Sequence, residues 1–234
     1  MSIDEISHRK GHRDFATVVC DIDHSTLLEV IDSHHQDDII EVLKQQPIEV
    51  REQVEEVSVD MWGGFPKVVR AVFPNAKLVF DLFHVIQPVN KELNKIRKQT
   101  KMTIQGSKFI LLKNGDDLTE EEKTKLATIL GHSQRLKSAY EFKEEFRKIF
   151  EMSQTPEEGK VEILGWLKKA QSVYGDVIQT IRNHLDGICN YFLNRTTSGV
   201  MEGINNKLKL IKRQAYGFTN FENFRARLLA CFSH

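Results

Sequence analysis

The sequence predicts an α/β protein: a mixed β-sheet flanked by helices in its first eighty residues, followed by a long all-α stretch. Three observations predict this. Short β-rich runs with period-two alternation fill the chain before residue 82, a strand–helix–strand unit ends at Asp81, and helical apolar spacing with marked helix starts continues from there.

Taken in order, Ile3-Asp-Glu-Ile6 reads as a strand whose beginning lies upstream of the chain. Phe15-Ala-Thr-Val-Val-Cys20 and Leu27-Leu-Glu-Val-Ile31 are two β-rich runs joined by the polar link Asp21-Ile-Asp-His-Ser25, the pattern of an antiparallel hairpin. Val57 and Val59 alternate with Ser58 and Asp60, an amphipathic helix carries Phe65, Val68, Val69 and Val72 on one side, and Lys77-Leu-Val-Phe-Asp81 follows. With Gly63-Gly64 and Pro74-Asn75 as punctuation, that unit calls for two parallel strands. Further on, Thr119-Glu-Glu-Glu122 and Thr155-Pro-Glu-Glu158 are capping boxes, the second with proline at the first helical position. Ser198 is placed to cap the helix containing Glu202, Gly217 to end it, and Thr219-Asn-Phe-Glu222 to open the last helix. There is no internal repeat and no low-complexity linker.

The composition is that of a globular chain of 234 residues, without a window of eighteen consecutive apolar residues or a basic-then-apolar leader. Membrane and secreted classes are thereby set aside. Cys20, Cys189 and Cys231 are far apart, odd in number and free of metal spacing, which suits reduced, buried thiols in a cytoplasm. The formal net charge is zero, but the charge is segregated. Residues 1–60 hold 15 acidic and 5 basic side chains, residues 82–113 hold 1 and 7, and residues 195–234 hold 2 and 7. Such segregation suits metal-assisted chemistry on a polyanion, and equally suits ordinary solvated faces.

Single acids carry little by themselves. Asp60 ends an apolar strand, where α/β sheets meet their ligands, yet aspartate there also caps helices and makes turns. Asp4 is less specific still. Helical spacing sets Glu202, Asn206, Lys209 and Arg213 on one polar stripe and Met201, Ile204, Leu208 and Ile211 on an apolar one. That stripe reads as an active-site wall or as a solvated i,i+4 pairing. Hard divalent cations are held by one or two carboxylates plus waters and substrate phosphate, so acids from separate rigid elements suffice and no contiguous motif is required.

Several segments together resemble one family. Ser2-Ile-Asp-Glu-Ile-Ser-His-Arg-Lys-Gly-His12, Val57-Ser-Val-Asp-Met-Trp62, Val79-Phe-Asp-Leu-Phe-His84 and the long Glu202-Gly-Ile-Asn-Asn-Lys-Leu-Lys-Leu-Ile-Lys-Arg-Gln-Ala-Tyr-Gly-Phe218 resemble, in that order, the ISL-three family of bacterial insertion-sequence transposases. The similarity runs on to Asn220-Phe-Glu-Asn-Phe-Arg225. The resemblance implies an RNase H-like catalytic core over residues 1–84 and 196–234, a helical insertion over residues 85–195, and a DDE triad of Asp4, Asp60 and Glu202 binding Mg²⁺, with Mn²⁺ as a substitute. It further implies cleavage and strand transfer at transposon ends, target DNA as second substrate, a homo-oligomer on DNA, and association with the bacterial nucleoid. Asp81 and His84 match the DxxH of related transposases as accessory residues, a satisfied structural histidine being the other reading. Full-length relatives carry upstream zinc-binding and helix-turn-helix segments. The first acid here stands at position 4, so those segments, and their recognition of terminal repeats, are expected to be missing, and the edge of the sheet around Asp4 to lack part of a strand.

Other residues are weighed beside these. His34-His35 with Asp37 and Asp38 reads as a solvated loop rather than a metal patch, because adjacent histidines point apart. Trp62 and Trp166 read as core, with base stacking as the alternative. Lys207, Lys209, Lys212 and Arg213 are the candidate DNA-backbone contacts. Two rival functions stay open: a truncated, non-catalytic fragment that binds DNA or inhibits a full-length partner, and an RNase H-fold nuclease without strand transfer.

Overall fold

The computed structural model describes residues 1–7, 15–61, 63–196, 199–215, 218 and 220–232. Trp62, Ser198, Gly217 and Thr219, and residues 8–12 of the first motif, lie outside the described residues. The chain divides into two compact units, Met1–Asp81 with Thr196–His234, and Leu82–Arg195.

The first unit is a five-stranded mixed sheet with helices on both faces. Its elements are β1 (Ser2–Ser7), β2 (Phe15–Asp21), β3 (Thr26–Ile31), α1 (Gln36–Leu43), α2 (Ile48–Arg51), β4 (Glu56–Val59), α3 (Phe65–Val72) and β5 (Lys77–Phe80). The strand order is β3-β2-β1-β4-β5. Strand β2 runs antiparallel to both β1 and β3, the latter as the hairpin link predicts, while β4 pairs parallel with both β1 and β5. In that link Asp21 Oδ1 accepts the Asp23 N–H at 2.9 Å, an Asx turn that lets Ser25 take a φ of 54°. The expected place of Asp4 at an edge of the sheet is corrected, for β1, which carries it, is the central strand. A central strand must be covered on both sides, and β1 accordingly buries Ile3 on one face and Ile6 on the other.

On one face α3 buries Phe65, Val68, Val69 and Val72 against β4 and β5. On the other lie α12 (Gly199–Gln214) and α13 (Phe221–Phe232), which return to this unit after the helical one. Met201, Ile204, Leu208 and Ile211 of α12 join Phe224, Leu228 and Phe232 of α13 over Ile6, Ala16, Val18, Cys20, Leu27 and Val30. The apolar stripe read from the sequence is therefore the buried one. Arg225 fastens α13 to β3 through both Glu29 carboxylate oxygens, at 2.6 and 2.7 Å. Burial pushes the Cys20 thiol up to about 12, so it packs as an inert small hydrophobe.

The second unit is helical: α4 (Leu82–Gln99), α5 (Ser107–Leu112), a 3₁₀ turn at Gly115–Asp117, α6 (Glu120–Gly131), α7 (Gln134–Met152), α8 (Pro156–Ala170), α9 (Gly175–Asn183), α10 (Leu185–Cys189) and α11 (Tyr191–Asn194). Thr119 and Glu122 close the expected capping box at α6. At α8 only half of the box forms as expected: Thr155 accepts the Glu158 N–H, but the Glu158 carboxylate turns to the Gln154 N–H at 2.8 Å. Ser133 caps α7, a start the sequence reading did not mark. Trp166 is core, 1% exposed, with Nε1 donating to the Phe142 carbonyl at 2.8 Å and its ring against Phe146.

Two contacts inside this unit give measurable consequences. A Cβ at Gly159 of α8 would stand 2.0 Å from the Phe192 ring, which is itself stacked on Phe150. Alanine is the better helix former by about 1 kcal/mol, but overpacking costs roughly 1–3 kcal/mol, so urea denaturation of Gly159→Ala is expected to show a net loss of stability. Lys143 is 3% exposed, donates to the Lys113 carbonyl at 2.8 Å and pairs with Glu144, which also receives Arg147. Removing the shared carboxylate strands buried positive charge. Glu144→Leu is expected to cost about 3–5 kcal/mol, and the double variant Lys143→Met/Glu144→Leu to recover part of it in the same measurement.

Candidate active site

Register brings the first two predicted acids together. Ser2 is paired with Ser58 and Ile3 with Val59, so the next step along both parallel strands sets Asp4 beside Asp60, one strand spacing of about 4.8 Å apart at the backbone. Val59 is paired with Phe80 on the far side, and the Asp81 N–H donates to the Val59 carbonyl at 3.0 Å, so the row continues to Asp81. Registered parallel neighbours point to the same face, and Ile6, two residues beyond Asp4 on that strand, points into the core under α12. Asp4, in the middle of β1, thus lies in line with Asp60 and Asp81, each of which directly follows the last residue of its strand, the edge where α/β sheets meet ligands. Asp60 is not a helix cap, since the N-cap of α3 is Gly64.

Electrostatics agree with that proximity. The Glu5 carboxyl is raised above the usual range, first by burial, with His34 opposing and both Asp4 and Asp60 adding to the rise. Asp4 is held by protein donors: Oδ1 accepts the Glu5 N–H at 2.7 Å and Oδ2 accepts Asn205 Nδ2 at 2.7 Å. Asn205 belongs to α12, one turn after Glu202. Its Oδ1 is buried and receives no donor among the described residues.

Glu202 is exposed in the first turn of α12, where its charge also complements the helix N-terminus. Among the described residues no three His, Cys, Asp or Glu side chains come close enough to hold a metal. The register thus sets Asp4 beside Asp60, and Glu202 does not complete a three-residue metal group with them among the described residues. Two neighbouring carboxylates and an undonated carboxamide oxygen are nonetheless the hard oxygen donors that Mg²⁺ takes, with waters and substrate completing the shell. The residues present fit that class of cation.

The basic candidates separate into two pairs. Lys207 donates to the Cys231 carbonyl at 2.7 Å and sits 4.0 Å over the Phe232 ring, and Lys212 donates to the Ser7 carbonyl at 2.6 Å. Burial lowers the Lys212 ammonium below the usual lysine value. Lys209 and Arg213 are exposed on the stripe that also carries Glu202 and Asn206. His84 is on the first turn of α4 and belongs to the helical unit, with its ring edge-on to Phe83. His34 and His35 are exposed, as a solvated loop requires, but their rings do not diverge: the centroids are 4.4 Å apart.

Sequence reasoning missed Asn205. It assigned the polar stripe to Glu202, Asn206, Lys209 and Arg213, whereas the positions that meet β1 are Asn205 and Lys212, seven apart, on the border of the apolar stripe. A polar residue at i+1 from a core position, repeated one heptad later, was the available signal.

Comparison with known proteins gives the family of the chain. The chain is 28% identical over 250 residues to the transposase for insertion sequence element IS1001 of Bordetella parapertussis, covering 99% of this chain and 60% of that protein. It is 27% identical over 253 residues to the transposase for IS1557 of Mycobacterium tuberculosis, covering 93% of this chain and 56% of that protein. The chain thus spans somewhat under two thirds of the length of the curated relatives it matches. A third match, an ATP-dependent protease of Lactococcus lactis, is 36% identical over 56 residues, 24% of this chain and 18% of that protein, too short a stretch to bear on the whole. The family model described as "Transposase", of the ISL-three DDE group, matches residues 1–228, and the chain belongs to that family.

Proposed function

We propose that this chain is the catalytic part of a DDE transposase, acting in the bacterial cytoplasm on DNA bound to the nucleoid, with an RNase H-like core in the sheet-containing unit and the helical unit as its insertion. Asp4, Asp60 and Glu202 are its acid triad, and its reaction is Mg²⁺-dependent phosphodiester cleavage followed by strand transfer at insertion-sequence ends. The observation that carries the reading is the side-by-side placement of Asp4 and Asp60 on parallel strands, in a chain whose family membership spans both acids and Glu202. When bound, Mg²⁺ or Mn²⁺ supplies charge neutralisation at the phosphodiester and activation of the attacking oxygen.

The chain's own residues supply positioning. Asp4 is oriented by two N–H donors, Asp60 by the end of a strand locked between β1 and β5, and Glu202 rides on a helix whose buried stripe fixes its height above the sheet. Lys209 and Arg213, exposed on the Glu202 stripe, are suited to hold the DNA backbone, while Lys207 and Lys212 hold α12 to α13 and β1. Asp81 extends the acid row as an accessory group. A homo-oligomer on paired ends completes the proposal.

The test is strand joining by this chain on duplex oligonucleotides with pre-cleaved 3′-hydroxyl ends, with and without Mg²⁺. Joining that falls at least about 100-fold in Asp60→Asn and in Glu202→Gln is expected, the scale of removing one electrostatic stabiliser of a transition state. Full activity in Glu202→Gln would remove the third acid from the triad, cutting without joining would mark a nuclease, and binding without either a non-catalytic fragment. For DNA binding, Lys209→Ala and Arg213→Ala are each expected to lower the salt dependence of affinity by about one ion. Lys207→Ala is expected to lower thermal stability with little change in that slope, as read by binding titrations at several salt concentrations.

A further inference from the structure

We infer that Asn205 is a positioning residue for the acid pair: its amide N–H group holds the Asp4 carboxylate, and its carbonyl oxygen is an additional acceptor turned to the bound divalent cation's hydration shell. This rests on the proposed reading of Asp4 and Asp60 as cation ligands.

The placement is not accidental. Asn205 meets Asp4 and Lys212 meets Ser7, so seven helical residues run beside three strand residues. Seven residues of helix rise about 10.5 Å and three residues of strand about 10 Å, so α12 and β1 stay in step along their contact. Leu208 and Ile211, buried against the β1–β2–β3 face, hold that alignment. Asn205 is thereby delivered to Asp4 by packing rather than by its own flexible side chain.

The two ends of the carboxamide then have different tasks. Nδ2 donates to Asp4 Oδ2 at 2.7 Å, while Oδ1 is buried and receives no donor among the described residues. Reversing the amide would set an oxygen against a carboxylate oxygen, so the orientation follows from the chemistry. A buried acceptor without a donor is unfavourable and calls for an explanation outside the protein's own groups. Beside two carboxylates, a water of a bound cation's hydration shell is a group that would donate to a further oxygen. Glu202, one turn earlier on the same helix, is exposed. Asn205 is a contact through which α12 reaches Asp4 in this structure.

The experiment is Mn²⁺ binding to the chain, read as free Mn²⁺ by electron paramagnetic resonance, for the wild type and for Asp4→Asn, Asn205→Leu and Asn205→Asp. Leucine keeps the volume and the helix while removing both polar ends. Asn205→Leu is expected to weaken Mn²⁺ binding by about 10- to 100-fold, the range for groups that orient ligands. Asn205→Asp loses the N–H and sets like charge beside Asp4, so its melting temperature without metal is expected to fall and to be recovered on adding Mn²⁺. Wild-type affinity in a folded Asn205→Leu, with binding lost in Asp4→Asn, would overturn this inference alone and leave Asn205 a helix anchor. A wild-type chain whose Mn²⁺ binding is indifferent to Asp4→Asn would overturn both the inference and the reading beneath it.

Discussion

Strand β1 pairs with β4 so that Ser2 lies beside Ser58 and Ile3 beside Val59, and everything proposed for the site depends on that pairing. In a parallel ladder neighbouring residues at one level share a face, so the register alone decides that Asp4 and Asp60 are neighbours. A slip of one residue would turn one acid to the opposite face and bury it under α3, where Val68 and Val69 leave no polar partner for it. The register is held by groups away from the acids: the Ser2 hydroxyl donates to the Ser58 carbonyl at 3.2 Å, and Ile3 and Val59 are each 1% exposed on the α3 side. Apolar packing on one face thus positions charge on the other.

Helix α12 performs the complementary task. Its apolar stripe is consumed by the sheet and by α13, which leaves its remaining positions for two distinct jobs. The border positions Asn205 and Lys212 tie the helix to β1, and the outer positions Glu202, Lys209 and Arg213 stay exposed. Exposed carboxylate and cations on one stripe suit a polyanionic substrate approaching from solvent, because each charge keeps its hydration until the phosphate replaces it. The proposed triad, with one acid on a helix rather than on the sheet, has a physical basis in this arrangement: Asp4 is fixed by hydrogen bonding, whereas Glu202 is positioned by the packing of the opposite face of its helix.

What was legible in the sequence follows from the range of the interactions concerned. The hairpin at Asp21 to Ser25 and the box at Thr119 to Glu122 are written within five residues, and both were read as they are found. The amphipathic stripe of α12 and the strand–helix–strand unit need only periodicity. The central position of β1 was not legible, since it depends on a parallel pairing across some fifty residues and an antiparallel one on its other side. Nor was Asn205, because its role depends on which edge of α12 meets β1, and helical spacing defines faces without naming their neighbours. The departure at Glu158 is smaller in kind: two N–H groups one residue apart compete for one carboxylate, and Gln154 wins over Thr155. Charge segregation and the triad itself gained meaning only through resemblance, as separate acids on separate elements leave no local pattern.

The central claim is that the parallel register assembles a cation site from Asp4 and Asp60. Anomalous diffraction from crystals of the chain soaked in Mn²⁺, collected at the manganese edge, tests this most directly. The account predicts an anomalous peak within coordination reach of both carboxylates, on the face covered by α12. A manganese ion bound at other residues, with Asp4 and Asp60 bare at saturating concentration, would contradict it.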